Sequence, residues 1–141
     1  MCLFDYYKIN VQGLNCLIIG YSKIVGQPMS IILTQKGATT TTAHVLTKNL
    51  NFHIRNAELL ICAVGKPNFI SGNDIKKNSI VIDVGINYLK NGTLVGDINY
   101  NQTASKVKYI TPVPGGVGPM TVIMLIKNTL KSYEINQFTY L

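Results

Sequence analysis

Between Gly20 and Gly26 the chain reads GYSKIVG, two glycines bracketing a serine hydroxyl directly after an apolar run. Such a turn suits a phosphate. Gly20 permits a sharp reversal, Gly26 a close approach, and the free N–H groups of a following helix add partial positive charge. The spacing is G-x-S-x-x-x-G, which is neither the G-x-G-x-x-G of ordinary dinucleotide folds nor the G-x-x-x-x-G-K-[ST] of P-loop nucleotidases. By pattern alone it stands evenly between a dinucleotide cradle and a plain strand-to-helix turn.

A second group lies further on. A site selective for NAD carries Asp or Glu about 20 residues past its glycines, where the carboxylate meets the ribose hydroxyls. From Thr39 to Asn51 there is no acid, but His44, Thr47 and Lys48 are present. They fit a ribose 2′-phosphate and therefore NADP, with NAD as the alternative; the competing reading is an ordinary polar loop. His44 alone reads most simply as a hydrogen-bonded loop histidine. His53 has no companion at zinc spacing, so no metal is expected. Asp83, inside an apolar strand, and Asp97, after a turn, read as holders of loops through backbone hydrogen bonds rather than as bases. Finally, TPVPGGVGPMT (111–121) holds three of the five prolines and three of the twelve glycines. It is a loop of fixed path leading into an apolar helix.

The elements that must position these groups follow from periodicity. NCLIIG (15–20), ELLICAV (58–64) and SIVIDVG (79–85) are short apolar runs of the kind buried on both faces of a parallel sheet. ATTTTAHV (38–45) is a β-branched strand, and YIT (109–111) a short fifth one. Val25, Met29, Ile32 and Leu33 lie at helical spacing before a Gly37 stop. Further helical stretches are expected at 50–56, at SGNDIKKN with Ser71 as its cap, at 100–106, and from Met120 to about Ser132. Asn91-Gly92 predicts a hairpin with a type I′ turn. Alternation of strands and helices predicts one doubly wound α/β domain over 1–141, a mostly parallel sheet with helices on both faces and a small hairpin excursion. The loops after its strands then share one edge, where such sheets bind ligands.

Composition narrows the partners. The net charge is +7, but the thirteen basic residues are scattered and form no stripe interleaved with aromatics, so nucleic acid is not expected. No apolar run approaches the ~20 residues of a membrane span. Cys2, Cys16 and Cys62 are odd in number and lack C-x-x-C spacing. With no secretory signal pattern at the start, they predict reduced thiols and a cytoplasmic protein.

GYSKIVGQPMS, AVGKPNFI, VIDVGIN, VGDI and ITPVPGGVGPMTVIMLIKNTL occur in an order and spacing that resembles the cofactor domain of bifunctional methylenetetrahydrofolate dehydrogenase/methenyltetrahydrofolate cyclohydrolase. The likeness runs from about Tyr7 to Leu130 and implies a Rossmann-like NAD(P)-binding domain. It places Ser22, Ile24, His44, Val64, Gly65, Gly85, Ile86 and Thr121 along the NADP site, and Pro114 and Gly115 against the folate. Together with the loop residues, the expected cofactor-binding set is Gly20, Ser22, Ile24, Val25, His44, Thr47, Lys48, Val64, Gly65, Gly85, Ile86 and Thr121. The family oxidises 5,10-methylenetetrahydrofolate with NADP and hydrolyses the product to 10-formyltetrahydrofolate, which implies one-carbon metabolism, purine biosynthesis and a homodimer.

Two departures stand out. Tyr21 and Val45 occupy places where many members use Arg or Ser to hold the 2′-phosphate. The family's catalytic lysine lies in a Y-x-x-x-K motif of an N-terminal folate domain, and no Y-x-x-x-K occurs in this chain. The expectation is a cofactor-binding half without a catalytic residue of its own, inactive alone and completed by a separate N-terminal domain. The alternative is a dinucleotide-binding or dimerisation module without catalysis.

Overall fold

The computed structural model describes residues 1–139, with side chains as far as Asn136. Five parallel strands form the sheet: β1 (Asn15–Ile19), β2 (Thr39–Ala43), β3 (Leu59–Cys62), β4 (Ile80–Asp83) and β7 (Tyr109–Ile110). Their order is β2-β1-β3-β4-β7, so the direction of winding reverses between β1 and β3. β5 (Asn87–Tyr88) and β6 (Leu94–Val95) make the hairpin excursion between β4 and β7. The doubly wound expectation holds.

Alternation along the strands builds a core on each face. Leu17, Ile19, Leu60, Cys62 and Val81 point to one side, where α3 (Leu50–Asn56) contributes Ile54 and the loops add Ile70, Ile75 and Ile98. Cys16, Ile18, Leu59, Ile61 and Ile80 point to the other, covered by Phe4 of α1 (Cys2–Tyr6) and Leu33 of α2 (Gly26–Gln35). Strands β1 and β3 are buried along nearly their whole length, which explains their unbroken apolar runs. β2 is an edge, and its threonines are mostly exposed. Among the described residues no helix is long and apolar enough to cross a membrane.

Three expectations are corrected. SGNDIKKN is a chain of turns, not a helix. Ser71 Oγ does accept the Asn73 N–H, but it also donates to Gln102, while Gly72 lies against the Gln102 backbone and Ile75 enters the core. Those tertiary ties hold the segment too irregularly for helical hydrogen bonds. In the hairpin, Gly92 (φ +80°) has left-handed backbone but Asn91 does not, which excludes a type I′ turn centred on Asn91-Gly92. The Gly92 N–H instead reaches Leu89 O, giving a turn centred on Lys90-Asn91 that needs no positive φ at a lysine. The last helix, α5, runs over Val117–Thr139, longer at both ends than expected. Pro119 falls in its first turn, where a missing N–H leaves no helical bond unmade.

α4 (Tyr100–Thr103) is a single turn, capped by the Asn99 side chain on the Gln102 N–H. β3, β4 and the strand after Gly37 each stop short of their apolar runs, because the last residues bend away to form the rim loops.

Candidate functional site

Because the five strands are parallel, the loops following them gather at one carboxyl edge. The winding reversal between β1 and β3 opens a crevice there. Gly20 sits at that point with φ +100°, and a Cβ on it would collide with the carbonyl of Ala63 at the end of β3. A Cβ on Gly26 would collide with the carbonyl of Gly20. The loop therefore folds back on itself and onto β3 with no room for a side chain at either glycine. The hydroxyl oxygen of Ser22 accepts the Val25 N–H at 3.2 Å, so its own proton remains free to donate outward. Val25 precedes the first turn of α2 and no side chain caps that helix, while Ile24 stands 86% exposed at the mouth.

Beyond β2 the loop is held by two of the expected residues. The His44 N–H donates to Thr47 Oγ1 at 3.0 Å, and His44 Nδ1 accepts the Leu46 N–H at 3.1 Å. That fixes the imidazole with Nε2 as its outward nitrogen, while the Thr47 hydroxyl keeps its proton. Lys48 is exposed beside them. His44 is indeed a hydrogen-bonded loop histidine, as the simpler reading had it. Val45, at the position noted as a departure, is half-buried.

The centre of the rim is organised by two buried carboxylates. Asp97, fully buried, accepts the N–H groups of Val64 (2.6 Å), Gly65 (3.0 Å) and Lys66 (2.9 Å) and the Asn87 amide (2.9 Å). Asp83 accepts from the N–H groups of Gly85, Asp97 and Ile98 at 2.8 to 3.0 Å. Gly85 and Gly96 exist because a Cβ on either would strike the carboxylate of Asp97 or Asp83. Burial raises the Asp83 carboxyl above the usual range, the three N–H donors pull it down, and neighbouring Asp97 adds to the rise. The two residues thus tie the loops after β3 and β4 to the hairpin, with each carboxylate oxygen occupied by at least one N–H donor. Asn87 and Thr111 complete this latch: the Thr111 hydroxyl accepts the Asp83 N–H at 2.8 Å. Neither was singled out from sequence; the signal available was only their position beside Asp97 and Asp83 in short loops.

This arrangement also decides what Val64 and Gly65 can offer. Three consecutive N–H groups make an anion nest, and Asp97 fills it. Those two residues line the crevice by shape and not through free backbone donors. Gly85 is buried beneath it, whereas Ile86 is 59% exposed.

Pro114 and Gly115 are exposed, and with Gly85, Ile86 and Leu94 they border a cavity of about 160 Å³ between the β4 loop and the start of α5. Thr121 is exposed one turn into α5, its hydroxyl donating to Gly118 O at 2.7 Å. The structure brings the loops after β1, β3, β4 and β7 together in this way. His44, Thr47 and Lys48 sit at the far side, beside the β1 loop. Among the described residues no three His, Cys, Asp or Glu side chains cluster as metal ligands. Cys16 and Cys62 are buried and free; burial, then Glu58, pushes the Cys16 thiol up to about 11, and burial with Asp97 and Asp83 raises Cys62.

A parallel sheet with a glycine-tight β1 loop at its winding reversal defines a Rossmann-like α/β domain of the dinucleotide-binding class. The chain belongs to the tetrahydrofolate dehydrogenase/cyclohydrolase NAD(P)-binding domain family, whose profile matches residues 1–137. Solved structures agree. The bifunctional methylenetetrahydrofolate dehydrogenase/cyclohydrolase of Campylobacter jejuni is 46% identical over 96% of this chain, with a TM-score of 0.94. The Trypanosoma brucei enzyme, solved with NADP cofactor and an inhibitor, is 34% identical over 96% with a TM-score of 0.90. A 5,10-methylenetetrahydrofolate dehydrogenase from the silkworm Bombyx mori is 37% identical over 95%, with a TM-score of 0.86. The chain spans about half the length of each of these, 48 to 49%. An NAD-bound 3-phosphoglycerate dehydrogenase of Entamoeba histolytica, only 9% identical, shares the fold with a TM-score of 0.55.

Proposed function

We propose that this chain is the NADP-binding half of a one-carbon folate enzyme, and that alone it binds cofactor without turning substrate over. The observation that supports this best is the Gly20–Gly26 turn pressed against Ala63, a cradle that any Cβ would fill. Ser22 is the donor to the cofactor's pyrophosphate, with the α2 N-terminus behind it. Gly20, Ile24, Val25, Val64, Gly65, Gly85 and Ile86 form the walls, and Thr121 meets the cofactor from the root of α5. His44 Nε2, the Thr47 hydroxyl and Lys48 face the 2′-phosphate, a part for which the rim offers no competing carboxylate between Thr39 and Asn51.

When bound, the nicotinamide supplies a hydride acceptor. This chain's residues hold it from one side, with Pro114 and Gly115 at the border where a folate would approach. Hydride transfer needs both rings at near-contact distance, and the rim closes only one side of such a cleft. The reaction, oxidation of methylenetetrahydrofolate and hydrolysis of the methenyl product, therefore requires a second, folate-binding wall.

Calorimetric titration with NADP and NAD tests the cofactor assignment. NADP should bind more tightly, and Lys48→Ala should narrow the NADP/NAD ratio about tenfold, the size of one lost charge-assisted hydrogen bond. Equal affinity for both cofactors, unchanged by Lys48→Ala, would remove the 2′-phosphate assignment. Turnover of methylenetetrahydrofolate at a normal enzyme's rate by the purified chain alone would remove the half-site reading.

A further inference from the structure

At the amino edge of the sheet, opposite the carboxyl rim, a cavity of about 390 Å³ opens between the end of α1 and the starts of β3, β4 and β7. That volume falls within the roughly 300–1,000 Å³ of small-ligand sites. Lys8, Lys76, Lys77 and Lys108 line it, four of the chain's thirteen basic residues drawn from three separate segments, against a single acid, Glu58. Glu58 is already engaged: one carboxylate oxygen accepts the Asn15 N–H at 3.0 Å, and the other stands 3.7 Å from Lys76 Nζ. Among the described residues no carboxylate pairs with Lys8, Lys77 or Lys108. Charge that is scattered along the sequence converges here.

The backbone fixes where these lysines stand. The Asn78 N–H donates to Lys106 O and the Lys108 N–H to Ser79 O, both at 2.9 Å, which sets the Lys76-Lys77 turn beside the approach to β7. α1 closes in a Schellman arrangement, the Ile9 N–H reaching Phe4 O at 2.8 Å and the Lys8 N–H reaching Asp5 O at 3.2 Å. The left-handed residue of such a cap is usually glycine, yet here it is Lys8 at φ +54°. A long cation occupies a position where local stability favours no side chain. Tyr7 and Tyr109, with ring centroids 6.1 Å apart, form the wall shared with an apolar groove of about 440 Å³ that Cys2 and Phe4 line. The Lys108 ammonium lies 5.5 Å from the Tyr109 ring centroid.

Ammonium groups gathered without counter-charge repel one another until an anion sits among them. Lysine is a compact charge with three donors, suited to phosphate oxygens, and lysines arriving from three segments suit more than one phosphate. A closed cluster of this size does not track the backbone of a nucleic acid, which takes a stripe. We propose that the amino-edge cavity binds a small ligand carrying a di- or triphosphate chain, met by Lys8, Lys77 and Lys108. The site lies at the opposite end of the strands from the cofactor cradle and does not depend on the cofactor reading.

Calorimetric titration of the full chain with inorganic tripolyphosphate tests it. Lys77→Ala and Lys108→Ala should each weaken binding about fivefold, the size of one exposed charge contact, while Lys90→Ala in the hairpin turn should leave it unchanged. Lys8→Gly should weaken binding by a similar factor and yet raise the urea midpoint, because glycine relieves the left-handed backbone. ATP separates the two sources of such a chain. Tighter binding of ATP, with the surplus lost in Tyr109→Ala, assigns the site to a nucleotide stacked on the tyrosines; equal affinities assign it to inorganic polyphosphate. No binding at millimolar tripolyphosphate overturns the proposal, as does binding indifferent to all three lysines. Sulfate bound as tightly as tripolyphosphate overturns it too, and a loss on Lys48→Ala in their place would put the phosphates in the cofactor cradle.

Discussion

At the carboxyl rim, Asp97 and Asp83 are 0% and 3% exposed, and every carboxylate oxygen accepts at least one donor. Along α5, by contrast, branched aliphatic side chains stand more than half in solvent with little of the domain against them. Polar groups are hidden in one region and apolar groups are displayed in the other. Each inverts the usual distribution, and for different reasons. Burying charge is tolerable only where donors are complete, so the rim is finished within this chain. Displaying isoleucine and leucine makes sense only if the covering surface comes from elsewhere, so α5 is unfinished. One region is satisfied within the chain and the other leaves an apolar face in solvent.

The sharpest way to break that contrast is at Asp97. Asp97→Ala leaves three backbone N–H groups and the Asn87 amide without an acceptor inside the fold. It should cost about 3–5 kcal/mol of stability, read as a lowered urea midpoint, with NADP affinity falling alongside. If the midpoint barely moves, water replaces the carboxylate and the rim is not self-sufficient.

Gly20→Ala comes next. Its Cβ must meet the Ala63 carbonyl at a φ of +100°, so both steric room and backbone conformation oppose it. A loss of about 3 kcal/mol is expected, together with loss of measurable dinucleotide binding. Binding retained at full strength would show that the β1 loop is only a strand-to-helix turn, the reading the sequence pattern left equally open.

How much of this was legible beforehand differs between the same two regions. The three apolar strands were readable because a parallel sheet buries both faces, which leaves no polar alternation to confuse. The roles of Asp83 and Asp97 were readable too, since an acid in an apolar run must satisfy itself locally. Their shared network was not, because Val64 and Asp97 lie 33 residues apart and nothing local links them. SGNDIKKN carries helix signals, but Gly72 against Gln102 and Ile75 in the core override them. In the hairpin, Lys90 displaced the turn by one residue, a steric preference that the Asn-Gly signal concealed. For α5, apolar content announced a helix but could not say that Ile123, Ile126 and Leu130 would stand more than half exposed.

Thiol chemistry sharpens the contrast more gently. Cys16 sits in the finished core and its pKa is raised to about 11, chiefly by burial, whereas Cys2 on α1 is half-buried and lines the open groove. A thiol that ionises less readily when folded contributes stability fully below its unfolded value of about 9. That contribution is lost as pH rises from there through about 11, by about 3 kcal/mol for Cys16. Cys16→Ala should flatten this alkaline decline in the urea midpoint. In native chain at neutral pH a disulfide reagent should modify Cys2 alone, and all three cysteines after unfolding. Rapid reaction of Cys16 or Cys62 in the native state would mean that the sheet opens more readily than its burial implies.

The smallest effect is expected on α5 itself, and its smallness is informative. Leu125 is 67% exposed, so Leu125→Glu removes almost no intrachain packing. It should shift the unfolding free energy of the domain by no more than about 0.5 kcal/mol. A loss above about 2 kcal/mol, read from the urea midpoint, would place Leu125 against this chain's own core and make α5 an ordinary covering helix.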